Sequence, residues 1–578
     1  MTRSATCADR FFEDLARLGV KYVFANWGSE HPPLVEALAR RKAASRRYPQ
    51  PILCPHETVA LSAAQGYAQL TGEPQAVIVH ADVGTQNLGG AVHNVCRSRT
   101  PVLIFAGVSP YSVLGEEFGG RNEYQMVLQD VPDQHAIVRQ YMKWTYHGRS
   151  AAQMPMVTSR AMEVALSEPT GPVYLSLSRE VLEEPAAQGG PPPQPVSSTA
   201  GGLDPQAVAE VLAALETARK PVLITSYLGR KPETVAALVA FSEAFALPVI
   251  ESFPHCVNFP ASHPHHAGFH MHARPEPRLA EADLVLVVDS DFPWLPARET
   301  LRPGAGVFHI DRDGAKNTIP LWHIPRTRAF TADAGTALRQ LMAAAEGAGF
   351  PPRGRYQRRL EALAAGHRQR REELRARESE HRRGGWPTVA LLAAALREQL
   401  RDDDIVLNES ITNSGQVFGH LERSRPGTVL GSGGSSLGWH GGAALGAKLA
   451  APDRTVVSIA GDGSYIFSVP SATHWVAARY GLATLTIVLN NGGWNAPRKS
   501  TLAIHPTGAA ARAGEFFNEL RPSVDYVALG RATGIKHARS VSEAGDVDGA
   551  VAGALAAVRE GRPALLEVQL EGAATRRV

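Results

Sequence analysis

Residues 455–480 read "TVVSIAGDGSYIFSVPSATHWVAARY", and residues 482–495 read "LATLTIVLNNGGWN". The first stretch is an apolar strand that runs into the turn Gly461-Asp462-Gly463, with a helix expected to begin near Val469. The second is another apolar strand that ends on Asn490-Asn491, 26 residues beyond the turn. Two strands that each stop at a small, polar turn, one βα unit apart, predict a parallel α/β sheet with a ligand at its strand ends. The chemistry suits a diphosphate held through a divalent cation. Asp462 and Asn491 offer hard oxygen ligands, a backbone carbonyl near Gly493 adds a third, and Mg²⁺ takes the rest from phosphate and water. Gly461, Gly463 and Ser464 leave room for the backbone to approach the anion, and a helix N-terminus behind them favours negative charge.

Outward from this pair, the chain repeats the same alternation of strand-length apolar runs and helical stretches, so the fold expected is α/β with three consecutive parallel-sheet domains. The first domain, 1–185, carries "KYVFANWG", "QAVIVHAD", "PVLIFAGV" and "PVYLSLS". A Pro/Gly linker at 186–202 closes it, and a central domain at 203–345 carries "PVLITS", "LPVIESF", "ADLVLVVDS" and "GVFHIDRD". A basic stretch at 346–385 reads as a surface helix, since Glu residues interleave its Arg residues. The third domain, 386–578, holds the deciding pair. Charged residues make up 20 % of the 578 and the formal charge is +3, which points to neither a nucleic-acid nor a membrane partner. The apolar runs are too short to span a bilayer, and "MTRSATCADRFFEDLARLGV" reads as an amphipathic helix rather than a leader. Four scattered cysteines without CxxC spacing argue against a disulfide frame or a zinc site, and a reducing cytoplasm is the default.

GDG with NN downstream resembles the motif of enzymes that use thiamine diphosphate, and essentially the whole chain resembles the 2-oxo acid decarboxylase and acetolactate synthase superfamily. The resemblance implies pyrimidine-binding, central and diphosphate-binding domains, with thiamine diphosphate and Mg²⁺ as cofactors. It also implies an activating carboxylate, and Glu57 in "PILCPHETVALSAAQGYAQLTG" takes that place. Ala60, Ala63, Ala64, Gly66 and Ala68 follow it as a smooth helix suited to close packing. Several stretches are similar to the benzoylformate decarboxylases. "YVFANWGSEHPPLVEAL" places Ser29 at a substrate-contacting serine and "VIVHADVGTQN" places His80 at a catalytic histidine. "VLNESITNSGQVF" sets Asn408, Glu409 and Ser410 near the diphosphate. "GSGGSSLGWHGGAALGA" puts Leu437 between the cofactor's rings and the backbone of Ser435 against its aminopyrimidine. The function implied is decarboxylation of a 2-oxo acid to an enamine, followed by protonation or addition to an aldehyde or ketone. The partners implied are these small molecules and further copies of the chain, a tetramer ahead of a dimer, with sites formed between first and third domains of different subunits.

Departures keep the substrate open. The central domain offers Trp294 in "VVDSDFPWLPARETL" where the benzoylformate decarboxylases have a second histidine, and no segment matches an FAD site. The alternatives are an acetolactate-synthase-like carboligase without FAD, a 2-hydroxyacyl-CoA lyase, or a non-catalytic cofactor-binding paralogue. Trp27, Trp294 and Trp494 are candidate pocket walls, and Gln129 is matched to an active-site glutamine of acetolactate synthases. Asp82 and Gln86 share the His80 loop, and Arg498 and Lys499 fall in a loop over the cofactor. His263, His265, His266, His270 and His272 fit no zinc spacing and read as a channel-lining loop.

Overall fold

The computed structural model describes residues 5–186, 201–272, 274–352 and 354–571. Three six-stranded sheets follow one another, every pairing parallel. The first contains β1 (Tyr22–Ala25), β2 (Gln50–Leu53), β3 (Gln75–Val79), β4 (Val102–Gly107), β5 (Trp144–His147) and β6 (Val173–Leu177), in the order 2-1-3-4-6-5. The second contains β7 (Pro221–Thr225), β8 (Val249–Ser252), β9 (His266–His270), β10 (Leu284–Val288), β11 (Gly306–Asp311) and β12 (Arg328–Thr331), in the order 12-11-10-7-8-9. The third contains β13 (Ile405–Glu409), β14 (Val429–Leu430), β15 (Val456–Gly461), β16 (Leu485–Asn490), β17 (His537–Val541) and β18 (Ala564–Gln569), in the order 14-13-15-16-18-17.

Strands such as β4 and β10 are buried at every residue, which is why they read as unbroken apolar runs rather than as alternation. The opening helix, Cys7–Arg17, starts on a Thr6/Asp9 capping box and buries Phe11, Phe12 and Leu15. The basic stretch forms one helix, Gln357–His381. It is anchored as well as exposed: Glu378 is buried and accepts Arg397 Nη1 and Nη2 at 2.9 Å and contacts His420 Nδ1 at 2.7 Å. Of the Pro/Gly linker, residues 187–200 lie outside the described residues. No helix among the described residues is long and apolar enough to cross a membrane.

Two interfaces decide how the domains sit. Between the first and central domains, Arg99 grips Asp291 through both guanidinium nitrogens at 2.7 Å. Lys316, whose side chain is wholly buried, reaches Asp291 Oδ1 and Asp311 Oδ2 at 2.6 Å and Tyr227 Oη at 2.8 Å. Charges this deep persist only when paired, and here they fill the strand ends of the central sheet. Between the first and third domains, the Glu57–Thr71 helix lies on the Trp439–Ala450 helix. A Cβ on Gly66 would stand 2.2 Å from the Ala443 carbonyl oxygen, and one on Gly446 would stand 1.8 Å from that of Ala63. Gly442 faces Val59 and Ser62 while Gly446 faces Ala63 and Tyr67, so the two helices run in the same direction. Their N-terminal ends, at Glu57 and Trp439, therefore open on the same side.

Candidate active site

Asp462 is buried and is the first residue of the Asp462–Phe467 helix, with Gly461 as its cap. The helix expected near Val469 is present as Pro470–Tyr480, capped by Val469, and a short helix that the sequence did not announce begins before it at the aspartate itself. Asp462 Oδ1 accepts from Gly463 N, and Oδ2 accepts from Gly492 N and Gly493 N, all at 2.8 Å. Burial pushes the carboxyl above its usual range, opposed by these N–H groups. The GDG and NNGG turns are thus one unit. The two asparagines divide their roles. Asn490 is committed to the scaffold, donating to Glu567 Oε1 at 2.7 Å and accepting from Gly492 N at 3.0 Å. No hydrogen bond to the Asn491 side chain is recorded among the described residues, which leaves it available as a ligand. Trp494 packs on the turn, with its indole nitrogen 2.3 Å from where a Gly463 Cβ would stand.

The buried Glu409 carboxyl accepts from Gly438 N at 2.6 Å and His440 N at 2.7 Å, closing the N-terminus of the Trp439–Ala450 helix, and burial raises it to about 8. It therefore also shapes the 431–438 loop. Asn408 Oδ1 accepts from Ser410 N and Oγ, while its buried Nδ2 has no partner. Asn408 borders a cavity of about 390 Å³ where the three domains meet, together with Ser435, His93, Phe253 and Phe292. Ser435 holds a left-handed φ of 65° in the loop that ends at Leu437 and Gly438. First-domain residues clamp that loop: Gln69 Nε2 donates to Gly431 O and Gln65 Nε2 to Ser432 O, both at 3.0 Å. Asn94 pairs with Ser436 N at 2.9 Å and with Ser436 O at 2.8 Å. Within one chain, Gln65, Gln69 and Asn94 of the first domain thus hold the bent loop of the third.

Glu57 is buried and accepts from Asn26 Nδ2 at 2.9 Å and Asn87 Nδ2 at 3.1 Å. His56 caps the helix through Nδ1 to Thr58 N. His80 leaves β3, and its Nδ1 lies 2.5 Å from Oε2 of Glu30, a buried carboxylate that the sequence reading missed. Glu30 raises the His80 pKa above its ordinary value, against the opposing effect of burial. Glu30 itself is raised by burial but pulled lower overall by His31 and His80. Its Oε1 also accepts from Ala81 N at 2.7 Å. Gly28 permits the approach, since a Cβ there would sit 2.0 Å from His80 Nδ1.

Ser29 Oγ donates to Glu123 Oε2 at 3.1 Å and accepts from Gln125 Nε2 at 3.2 Å. Gln125, which the sequence reading did not single out, is thus a glutamine beside Ser29. Asp82 opens the Asp82–Asn87 helix and accepts from Gln86 at 3.2 Å. Trp27 packs partly buried on the first domain's core, edge-on to His31. Trp294 is withdrawn as a pocket wall: it is 1 % exposed, in the central-domain core with Val222, Ile224 and Val287. Arg498 and Lys499 lie in the Asn495–Ile504 helix beyond Trp494.

Comparison with known proteins bears on these residues together. Residues 5–137, 208–341 and 411–568 match, in order, the N-terminal TPP binding, central and C-terminal TPP binding domains of thiamine pyrophosphate enzymes. Benzoylformate decarboxylase of Pseudomonas aeruginosa is 28 % identical over 575 residues, covering 96 % of this chain and 97 % of that one. The acetolactate synthase large subunit of Lactococcus lactis is 24 % identical over 575 residues, covering 96 % and 91 %. A solved thiamine diphosphate-dependent 4-hydroxybenzoylformate decarboxylase of Rhodococcus jostii superposes with a TM-score of 0.78 at 25 % identity, covering 98 % of this chain and 99 % of that one. With all three of its sheets matched in sequence and order, the chain belongs to the thiamine pyrophosphate enzyme family.

Proposed function

We propose that this enzyme cleaves or forms C–C bonds at 2-oxo acids, as a Mg²⁺-dependent decarboxylase or carboligase of the cytoplasm. The observation that carries the reading is the joined GDG–NNGG turn around the buried Asp462, with a free Asn491. The residues fit the cofactor: Asp462, Asn491 and a carbonyl at Gly493 supply oxygen donors for Mg²⁺, and the unpartnered Asn408 Nδ2 is a donor beside the cavity. Gly461, Gly463, Ser464 and Ser410 complete the diphosphate cradle in this proposal, while Leu437 and Ser435 position the rings. When bound, thiamine diphosphate supplies the carbon nucleophile and the electron sink.

The protein's own part is proton handling and orientation. Glu57, held by two neutral amides, accepts a hydrogen bond from the pyrimidine ring. His80, whose protonated form the neighbouring Glu30 favours, is placed to deliver a proton through Nε2 to the substrate carbon that has lost its carboxylate, a contribution of about 10²–10⁴-fold. Ser29, with Gln125 and Glu123 behind it, orients the substrate carboxylate, and Trp27, Trp494 and Gln129 remain candidates for its outer wall. Carboligation is the second reading, favoured by the match to acetolactate synthase. The domain limits 1–185, 203–345 and 386–578 belong to the same proposal, supported by one sheet within each.

EDTA dialysis is expected to abolish turnover, and thiamine diphosphate with Mg²⁺ to restore it. Restored enzyme, offered pyruvate, benzoylformate, branched 2-oxo acids and aldehyde acceptors, is expected to release CO₂ with an aldehyde or 2-hydroxy ketone identified by mass. Tight cofactor binding with no product across the panel would favour a non-catalytic paralogue.

A further inference from the structure

Three central-domain side chains outside the cofactor site converge without a role. His270 ends β9, His272 follows it, and Glu299 comes back from the segment after Trp294. One ring nitrogen of each histidine and one carboxylate oxygen lie within 4.8 Å of one another. The three residues are 5 %, 6 % and 6 % exposed.

The hydrogen bonds around His272 assign its tautomer. Ser252 Oγ donates to the Phe292 carbonyl at 2.6 Å, so it accepts from His272 Nε2, 3.1 Å away. The hydrogen is thereby on Nε2, and Nδ1 is left bare. That Nδ1 is buried and has no hydrogen-bond partner. A metal-bound histidine is arranged in this way, one nitrogen presenting a lone pair and the other donating to a fixed acceptor behind it.

His270 and Glu299 complete the set. His270 Nε2 stands 3.0 Å from Glu299 Oε1 but is out of line for a hydrogen bond. Glu299 is held in place by Glu276 N, at 3.2 and 3.1 Å from its two oxygens.

We propose that His270, His272 and Glu299 form a site for a divalent transition-metal ion, Zn²⁺ first, with His272 ligating through Nδ1. Two imidazoles and one carboxylate match zinc's ligand preference and leave a fourth position for water. A tetrahedral zinc places its ligand atoms about 3.4 Å apart, so the His270–Glu299 pair is already near ligand spacing and no pair need close by more than about 1.4 Å. The ion would tie the end of β9 to the 294–299 segment behind Phe253 and Phe292, which pack on His272 and line the interdomain cavity.

The test uses the full chain with its thiamine cofactor and Mg²⁺, equilibrated with Zn²⁺, desalted, and assayed for zinc by mass spectrometry. About one zinc per chain is expected in wild type and in Asp462→Ala, and below about a tenth in His272→Ala and Glu299→Gln. Equal zinc in wild type and both variants, or zinc-free wild type, overturns the proposal and leaves a metal-free His–Glu pair. Cobalt loading of wild type guards against variants that fail to fold. An intense tetrahedral visible spectrum supports the site, and no uptake or a weak octahedral spectrum refutes it.

Discussion

Glu57 and Glu30 are both buried carboxylates of the first domain, and their neighbours assign them different work. Glu57 is held by two amide donors, which orient it without supplying charge. Glu30 faces His80 and His31, so it stays ionised and holds a proton on His80. A histidine whose pKa rises on folding contributes stability that is complete below about pH 6.5 and is lost as pH climbs through the raised value. If His80 is the proton donor, the alkaline limb of kcat lies above pH 6.5 in wild type. Glu30→Gln is expected to move that limb to lower pH, with the His80 ring resonance titrating in parallel by NMR; an unmoved limb would remove His80 from the proton path. Glu30 was invisible in the sequence because an acidic residue in "GSEHPP" reads as solvated surface. Only the fold shows β1 and β3 delivering it to His80.

At the scale of elements, the helix after Glu57 was legible because its small residues have one use, close approach to another backbone. Its partner was legible only as a glycine-rich run, since which helices touch is tertiary information. Gly446→Ala would place a methyl against the Ala63 carbonyl, and overpacking of this kind costs about 1–3 kcal/mol. The expected result is weaker cofactor affinity and a lower thermal midpoint, measured beside Gly419→Ala, where nothing lies within 4 Å of the added carbon. Equal behaviour of the two variants would show that the helix contact does not hold the site. Most fully buried strands with unbroken apolar runs announced themselves, whereas β9, β12, β14 and β17 did not. β9 is built of histidines, β12 exposes three of its four residues, β14 has only two residues, and β17 carries His and Arg on a half-covered edge. Strand propensity is weak where neither face is wholly covered.

For the whole molecule, three sheets in a known order are enough to give the family, but not the substrate or the assembly. We expect a homotetramer, because residues 111–128 expose a strip of apolar side chains that includes Leu114 at 93 % and Leu128 at 76 %, more than an isolated chain needs to leave in water. Sedimentation of the cofactor-loaded protein is expected to give four chains, and a stable active monomer would contradict this. The central claim joins opposite ends of the sequence: Glu57 of the first domain activates a cofactor anchored by Asp462 and Asn491 of the third. Its most direct test is the rate at which bound thiamine diphosphate exchanges its C2 proton, followed by NMR after rapid quench, in wild type and Glu57→Gln. The account predicts that the variant keeps the cofactor but exchanges about 10²–10⁴-fold more slowly. Exchange at the wild-type rate would contradict it.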